Sequence, residues 1–290
     1  MTRALLAAAA AAALAPISAP AADPVVYKVG IPKTAFRDVP AEFQPIATLF
    51  LLELMKEQTG LDGEVVRPKD ALAVARALDE GELAIAMLRG QEYGWAKEKC
   101  PELVAIASAV ERPKEIRAFL LVRYDCKATG LGDLKGGKLA LAKTLKDHPR
   151  LFLAKRRSDE MRGGAFAETI KTDTVHDAIH LVLDGKADVT ATDQGAWTTF
   201  KRLYPGASKN LRVLSESDPF PPAVLVVKKG GLDEAIVRKI REGFLAADKT
   251  AKSVRLMTFM HVEKFEAVPA GYEKAADKCR KEYPAAPADE

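Results

Sequence analysis

Few residues in this chain of 290 have the type and spacing that chemistry requires. The stretch HDAIH, 176 to 180, puts His176 and His180 four apart with Asp177 beside the first. That is the ligand spacing of a zinc-protease helix, in which a glutamate holds the attacking water. Asp177 is shorter than such a glutamate, and Val175, Ile179 and Val182 give the same stretch a core face, so the two histidines read as an exposed pair rather than a metal site. KGGK at 135 to 138 lacks the spacing of a phosphate-binding P-loop and precedes a strand-like run instead of following one. His261, beside LMTF, reads as an ordinary packed or exposed histidine. No set of nucleophile, base and orienting residue can be assembled, so the expectation is a non-enzyme with no catalytic residue, no metal and no cofactor. What remains is recognition, whose residues must lie at the ends of the elements that position them.

Those elements contain a repeat. LDEGELAIAM, 78 to 87, resembles LDGKADVTATD, 183 to 193. Placing Gly81 on Gly185 also places Ala71 on Val175, Ala75 on Ile179, Leu78 on Val182 and Ile85 on Val189. The first three pairs have the spacing of one helix face. A glycine just past such a face supplies a left-handed stop, and the apolar run after it reads as a strand buried on both sides, as in parallel sheets. Downstream, 103 to 123 and 211 to 227 are each two apolar runs around a turn containing proline. Two copies suit two α/β lobes of similar plan and not a solenoid.

The remaining order is a strand at 25 to 32, a loop with Phe36, a helix from about 42 to 59 ended by Gly60, and a strand at 64 to 68. A turn with Gly90, Tyr93 and Trp95 leads to the apolar runs at 103 to 110 and 116 to 123. A strand at 138 to 142 opens the second lobe, followed by helices near 147 to 162 and 174 to 184, a strand at 187 to 191 and a helix at 194 to 204. The run 222 to 228 leads into a strongly periodic helix that returns to the first lobe.

Length supports two lobes, since single cores stop growing below this size. With 48% hydrophobic and 29% charged residues and a formal charge of +4, the chain has a globular composition and no basic stripe for nucleic acid. KRR at 155 to 157 reads as a solvated helix face. The first residues carry Arg3, an apolar run from Ala4 to Ala15 and an Ala19-Pro20-Ala21 cleavage pattern, which predicts a signal peptide over 1 to 21 and a soluble exported chain. Export makes the three cysteines candidates for a disulfide. Cys100 and Cys126 are equidistant from Pro113, so antiparallel pairing of 103 to 110 with 116 to 123 predicts a Cys100 to Cys126 bridge, leaving Cys279 over.

The leader, LDEGELAIAM, GLGDLKGGKLALA, LDGKADVTATD, SDPFPPAVLVV and a closing amphipathic helix, in this order, resemble the type 2 periplasmic solute-binding proteins, specifically the phosphate, phosphite and phosphonate-binding branch serving ABC importers. The resemblance implies the two-lobed α/β type 2 fold, with two crossing strands joining lobes that close on a small ligand like a hinged trap. Lobe I is expected over 22 to 120 plus 223 to 290 and lobe II over 121 to 222, with 116 to 123 and 222 to 228 as the crossing strands.

Ligands of such sheets sit beyond the carboxyl ends of strands, where helix N-termini offer unpaired N–H groups. This rule selects Thr34 and Phe36 after the first strand, Arg89 and Tyr93 after the third, Thr144 and His148 after 138 to 142, and Asp193, Gln194 and Trp197 after 187 to 191. Phosphonate binders of the branch carry a hydroxyl-rich loop where this chain has AKTLKDHPRLFL, in which Thr144 is the one hydroxyl. Arg89, Lys143, Lys146, His148 and Arg150 could hold an oxyanion by charge, or Asp193 could receive an amine or hydroxyl. The implied role is an exported monomer that delivers a small, phosphonate- or phosphate-like ligand to an ABC permease in the membrane. The alternatives are a ligand-sensing subunit of a membrane receptor, or a small-molecule lyase or synthase on the same fold.

Overall fold

A computed structural model describes residues 25–285 apart from Asp38 and Pro40. The expected signal peptide lies outside the described residues. Among those residues the chain runs β1 (Val26–Gly30), α1 (Gln44–Thr59), β2 (Asp62–Val66), α2 (Ala71–Asp79), β3 (Ile85–Leu88), α3 (Gly90–Lys99) and β4 (Leu103–Glu111). It continues through β5 (Ala118–Arg123), β6 (Lys138–Ala142), α4 (Asp147–Glu160), β7 (Glu168–Thr172), α5 (Val175–Leu183), β8 (Val189–Asp193), α6 (Gln194–Leu203) and β9 (Leu211–Glu216). The last elements are β10 (Val224–Lys228), α7 (Glu234–Leu245), α8 (Ala251–Phe259), β11 (Val262–Glu266) and α9 (Tyr272–Glu282).

Two sheets result, one ordered β11-β4-β10-β3-β1-β2 and the other β7-β6-β8-β5-β9. In the first, β1 pairs in parallel with β2 and β3, and β10 is antiparallel to β3 and β4. In the second, β6 pairs in parallel with β7 and β8, and β5 is antiparallel to β8 and β9. The plans are the same apart from the added edge strand β11. The antiparallel member of each sheet comes from the other half of the chain.

The repeated unit has the same caps and burial in both copies. The Asp70 carboxylate accepts from the Ala73 N–H to start α2, and the Thr174 hydroxyl accepts from the Asp177 N–H to start α5. Leu78 and Val182 are fully packed, and Gly81 and Gly185 take φ values of 76° and 70°, a region that strains residues with a Cβ and costs glycine nothing. Side chains of β10 alternate between two cores: Leu225 and Val227 pack with α1 and α7 residues, whereas Val224 and Val226 pack with those of α2, α3 and α9. A strand buried on both faces reads as an unbroken apolar run for that reason.

The expected pairing of 103 to 110 with 116 to 123 is not formed. β4 belongs to the first sheet and β5 to the second, because each finds its neighbours among strands of a different βαβ set. The chain crosses between sheets at 112 to 117 and returns at 217 to 223, where Ile116 and Phe220 form an isolated antiparallel bridge. The crossing therefore lies just before each of the two apolar runs assigned to it, and 118 to 120 sit in the second sheet. Cys100 is buried with the first-sheet residues and Cys126 packs against the second core, so the expected bridge is corrected: all three cysteines are free thiols.

Helices α7 and α8 pack on α1 and β11 of the first lobe. Helix α9 bridges: Tyr272 and Ala276 join the first-lobe core, whereas Cys279 and Tyr283 join the second. The Tyr283 ring stacks on Phe220 at 4.8 Å, and the Trp95 indole N–H donates to the Tyr283 carbonyl at 2.9 Å.

Candidate functional site

The carboxyl ends of β1, β3, β6 and β8 deliver their next residues to the space between the lobes. After β1, a 3-10 turn over Lys33–Phe36 presents Thr34, whose hydroxyl donates to Glu92 Oε1 at 2.5 Å. After β3, Arg89 caps α3: its backbone N–H donates to Glu92 Oε2 at 2.9 Å, and its Nη2 donates to the Ala35 carbonyl at 3.0 Å. The 33–36 turn and the α3 N-terminus are thus tied together through Arg89 and Glu92.

Across from them, Lys146 stands at the N-cap of α4, followed by Asp147, His148 and Pro149, all three buried. Asp193 caps α6, accepting from the N–H groups of Gly195 at 2.8 Å and Ala196 at 3.1 Å, with Lys146 Nζ at 3.9 Å. The His148 ring packs 5.4 Å from Phe220 of the returning link. Arg37, just past the first turn, reaches across to Asp147 at 2.6 Å. The Arg150 guanidinium folds back onto the Leu145, Ala142 and Lys143 carbonyls.

Electrostatics follow from burial. Glu92 is 1% exposed, and this desolvation pushes its carboxyl above the ordinary range; Arg89 and the two hydrogen bonds oppose the shift, while the charge of Asp147 adds to it. Burial acts upward on Asp193 too, but Lys146, His148 and the α6 N–H groups together hold it below its ordinary value. Burial and the charge of Arg37 draw Arg150 down, opposed by Asp147. Asp147 therefore pairs with Arg37 and acts on Arg150 and Glu92 through its charge.

Of the residues expected in the cleft, Thr34 and Arg89 from one lobe and His148 and Asp193 from the other are brought to this cluster. The aromatic residues are not. Phe36 is buried in the first-lobe core with the Arg67 guanidinium 5.4 Å from its ring centre. Tyr93 turns toward α9, donating to Glu273 at 2.5 Å beside Tyr272, and burial pushes its hydroxyl well above its ordinary value. Trp197 stacks on Phe200 inside the second core. Thr144 donates to the Asp173 carbonyl of a neighbouring loop and Gln194 to Thr198 within α6, so both bonds stay inside the second lobe. His176 and His180 pack edge-on to Phe200.

Arg37, Glu92 and Asp147 were not legible as site residues. Glu92 follows the N-cap by three positions, as in a capping box, and Asp147 is an acid in a first helical turn; both are signals of helix starts, which place a residue near a cleft without naming its partner.

Two α/β lobes joined by two links, with helix N-termini and buried charges between them, define a two-lobed solute-binding protein. The family model for the periplasmic substrate-binding protein of phosphonate ABC transporters matches residues 40–270, and the chain belongs to that family. Solved structures agree on the fold. XAC2383 from Xanthomonas citri, bound to ATP, superposes with a TM-score of 0.64 at 17% identity, over 89% of this chain and 96% of that one. PhnD1 from Prochlorococcus marinus in complex with methylphosphonate gives 0.63 at 15% identity, over 88% and 97%. A binding protein component of an ABC phosphonate transporter from Pseudomonas aeruginosa gives 0.61 at 17% identity, over 89% and 86%. No curated protein matches the sequence. Among the described residues, no helix is long and apolar enough to cross a membrane.

Proposed function

We propose that this chain is exported, captures a small oxyanion of the phosphonate or phosphate class between its lobes as a monomer, and presents it unaltered to an ABC permease. The observation that carries the reading is the convergence of three helix N-termini, α3 from one lobe and α4 and α6 from the other, with Arg37, Arg89, Lys146 and His148 around them. Helix N-termini and cations both favour an anion, and donors from two walls favour the closed state because only there are all of them used. Thr34, Arg89 and His148 are the contacts this reading assigns; Phe36, Tyr93 and Trp197 support the walls, and Thr144, Gln194 and Asp193 fix the loops and helix starts. The links at 112 to 117 and 217 to 223 act as the hinge, braced by α9.

Calorimetry with methylphosphonate, inorganic phosphate, sulfonates, carboxylates and amines tests this, with phosphorus NMR of the mixture afterward. Saturable heat with an oxyanion and unchanged ligand is the expected outcome. Binding of amines alone, or consumption of methylphosphonate, would refute the reading.

A further inference from the structure

Arg37, Arg89, Lys146 and His148 are each matched by an acid of the same chain, but the matches are not equivalent. Arg89 faces Glu92 within the first lobe, and Lys146 and His148 face Asp193 within the second. Arg37 and Asp147 instead stand on opposite lobes, after β1 and after β6, and meet at 2.6 Å.

Asp147 is the first residue of α4, a helix of 14 residues. A helix N-terminus favours negative charge through its unpaired N–H groups and its dipole. Here Pro149, in the same turn, has no N–H to offer. The Asp147 side chain is 11% exposed, and its charge is felt by Arg37, Arg150 and Glu92. Its carboxylate is thus the ion-pair partner of a guanidinium from the other lobe at the start of a helix, with the Arg150 guanidinium of the same helix within electrostatic reach. An oxyanion entering a closing cleft would meet the same three features.

We propose that Asp147 is a specificity-determining residue, a tethered carboxylate that takes the place of a ligand oxyanion between α4, Arg37 and Arg150. The inference rests on the reading of the cleft as an oxyanion trap. Binding is then an exchange in which the ligand displaces Asp147 from Arg37, and a dianion is disfavoured by the Asp147 charge. Without the Asp147 charge, the repulsion between Arg37 and Arg150 would lose its opposing charge, and an added anion would relieve it.

The test is titration of wild-type protein and the Asp147→Asn, Asp147→Ser and Asp147→Glu variants with methylphosphonate and with inorganic phosphate. Serine is suited to a helix start, so Asp147→Ser guards against misfolding of the asparagine variant, and thermal melts establish folding of each. Asp147→Asn and Asp147→Ser are expected to bind both anions about tenfold more tightly or better, whereas Asp147→Glu keeps the charge and stays within about threefold of wild type. Equal or weaker binding by the two neutral variants, in a protein that does bind these anions, overturns this inference and leaves the oxyanion reading standing. Failure of wild type and every variant to bind either anion overturns both.

Discussion

Gly90 approaches Pro221 so closely that a Cβ on Gly90 would lie 2.1 Å from the Pro221 carbonyl oxygen. The first residue of α3 is thereby pressed against the link that returns from the second lobe, one residue after the Phe220 ring that packs on His148. Residues of the returning link thus touch the start of α3 on one lobe and His148 on the other.

A methyl group at Gly90 must push α3 or the link aside, since the nearest atoms are backbone. Gly90→Ala is expected to cost about 1–3 kcal/mol in denaturant unfolding and to weaken oxyanion binding by displacing Arg89 and Glu92. Unchanged stability would mean that the contact is loose in solution.

Arg89 supplies charge and ties the 33–36 turn to α3. Losing a charge-assisted bond costs about 1.5–3 kcal/mol, so Arg89→Ala should weaken an anionic ligand by roughly ten- to a hundredfold in calorimetry and leave a neutral one almost unaffected.

The raised Glu92 carboxyl makes stability fall with pH. Above the ordinary value of 4.5, the unfolded state has lost a proton that the folded state still holds, so stability decreases as pH rises through that window and levels off above the folded value. Glu92→Gln is expected to flatten this component in unfolding midpoints measured from pH 4 upward. A variant with an unaltered pH profile would assign the slope to other groups.

The cysteines offer a simple check. Unfolding of unreduced protein in the presence of iodoacetamide should modify all 3 cysteines, and reductant should leave the melting temperature where it was. A mass corresponding to a bridged pair would contradict the separation of Cys100 and Cys126 between the lobes.

Local chemistry made much of the architecture legible. The repeated helix, glycine and buried strand of 71 to 88 and 175 to 193 depend on periodicity, capping and left-handed glycine, all of which act within a few residues. Strands whose runs are apolar on both faces were equally plain. Helix α3 was not: Gly90 and Gly94 lower its helix propensity, and what holds them is the close approach of Pro221 on one side and of the Ala276 carbonyl of α9 on the other, where an added Cβ would stand at 2.6 Å. Edge strand β7 was missed because Ile170 is its one apolar residue.

By itself the sequence determined two βαβ units, their order and the strand ends from which Thr34, Arg89, His148 and Asp193 emerge. Only tertiary structure decided that β4 and β5 part to different sheets, that Phe36, Tyr93 and Trp197 turn inward, and that Arg37 and Asp147 meet. The physical reason is range. Periodicity and caps are properties of neighbours along the chain, whereas sheet membership, the burial of an aromatic ring and an ion pair between lobes depend on which distant surfaces come together, and residue type alone does not specify those partners.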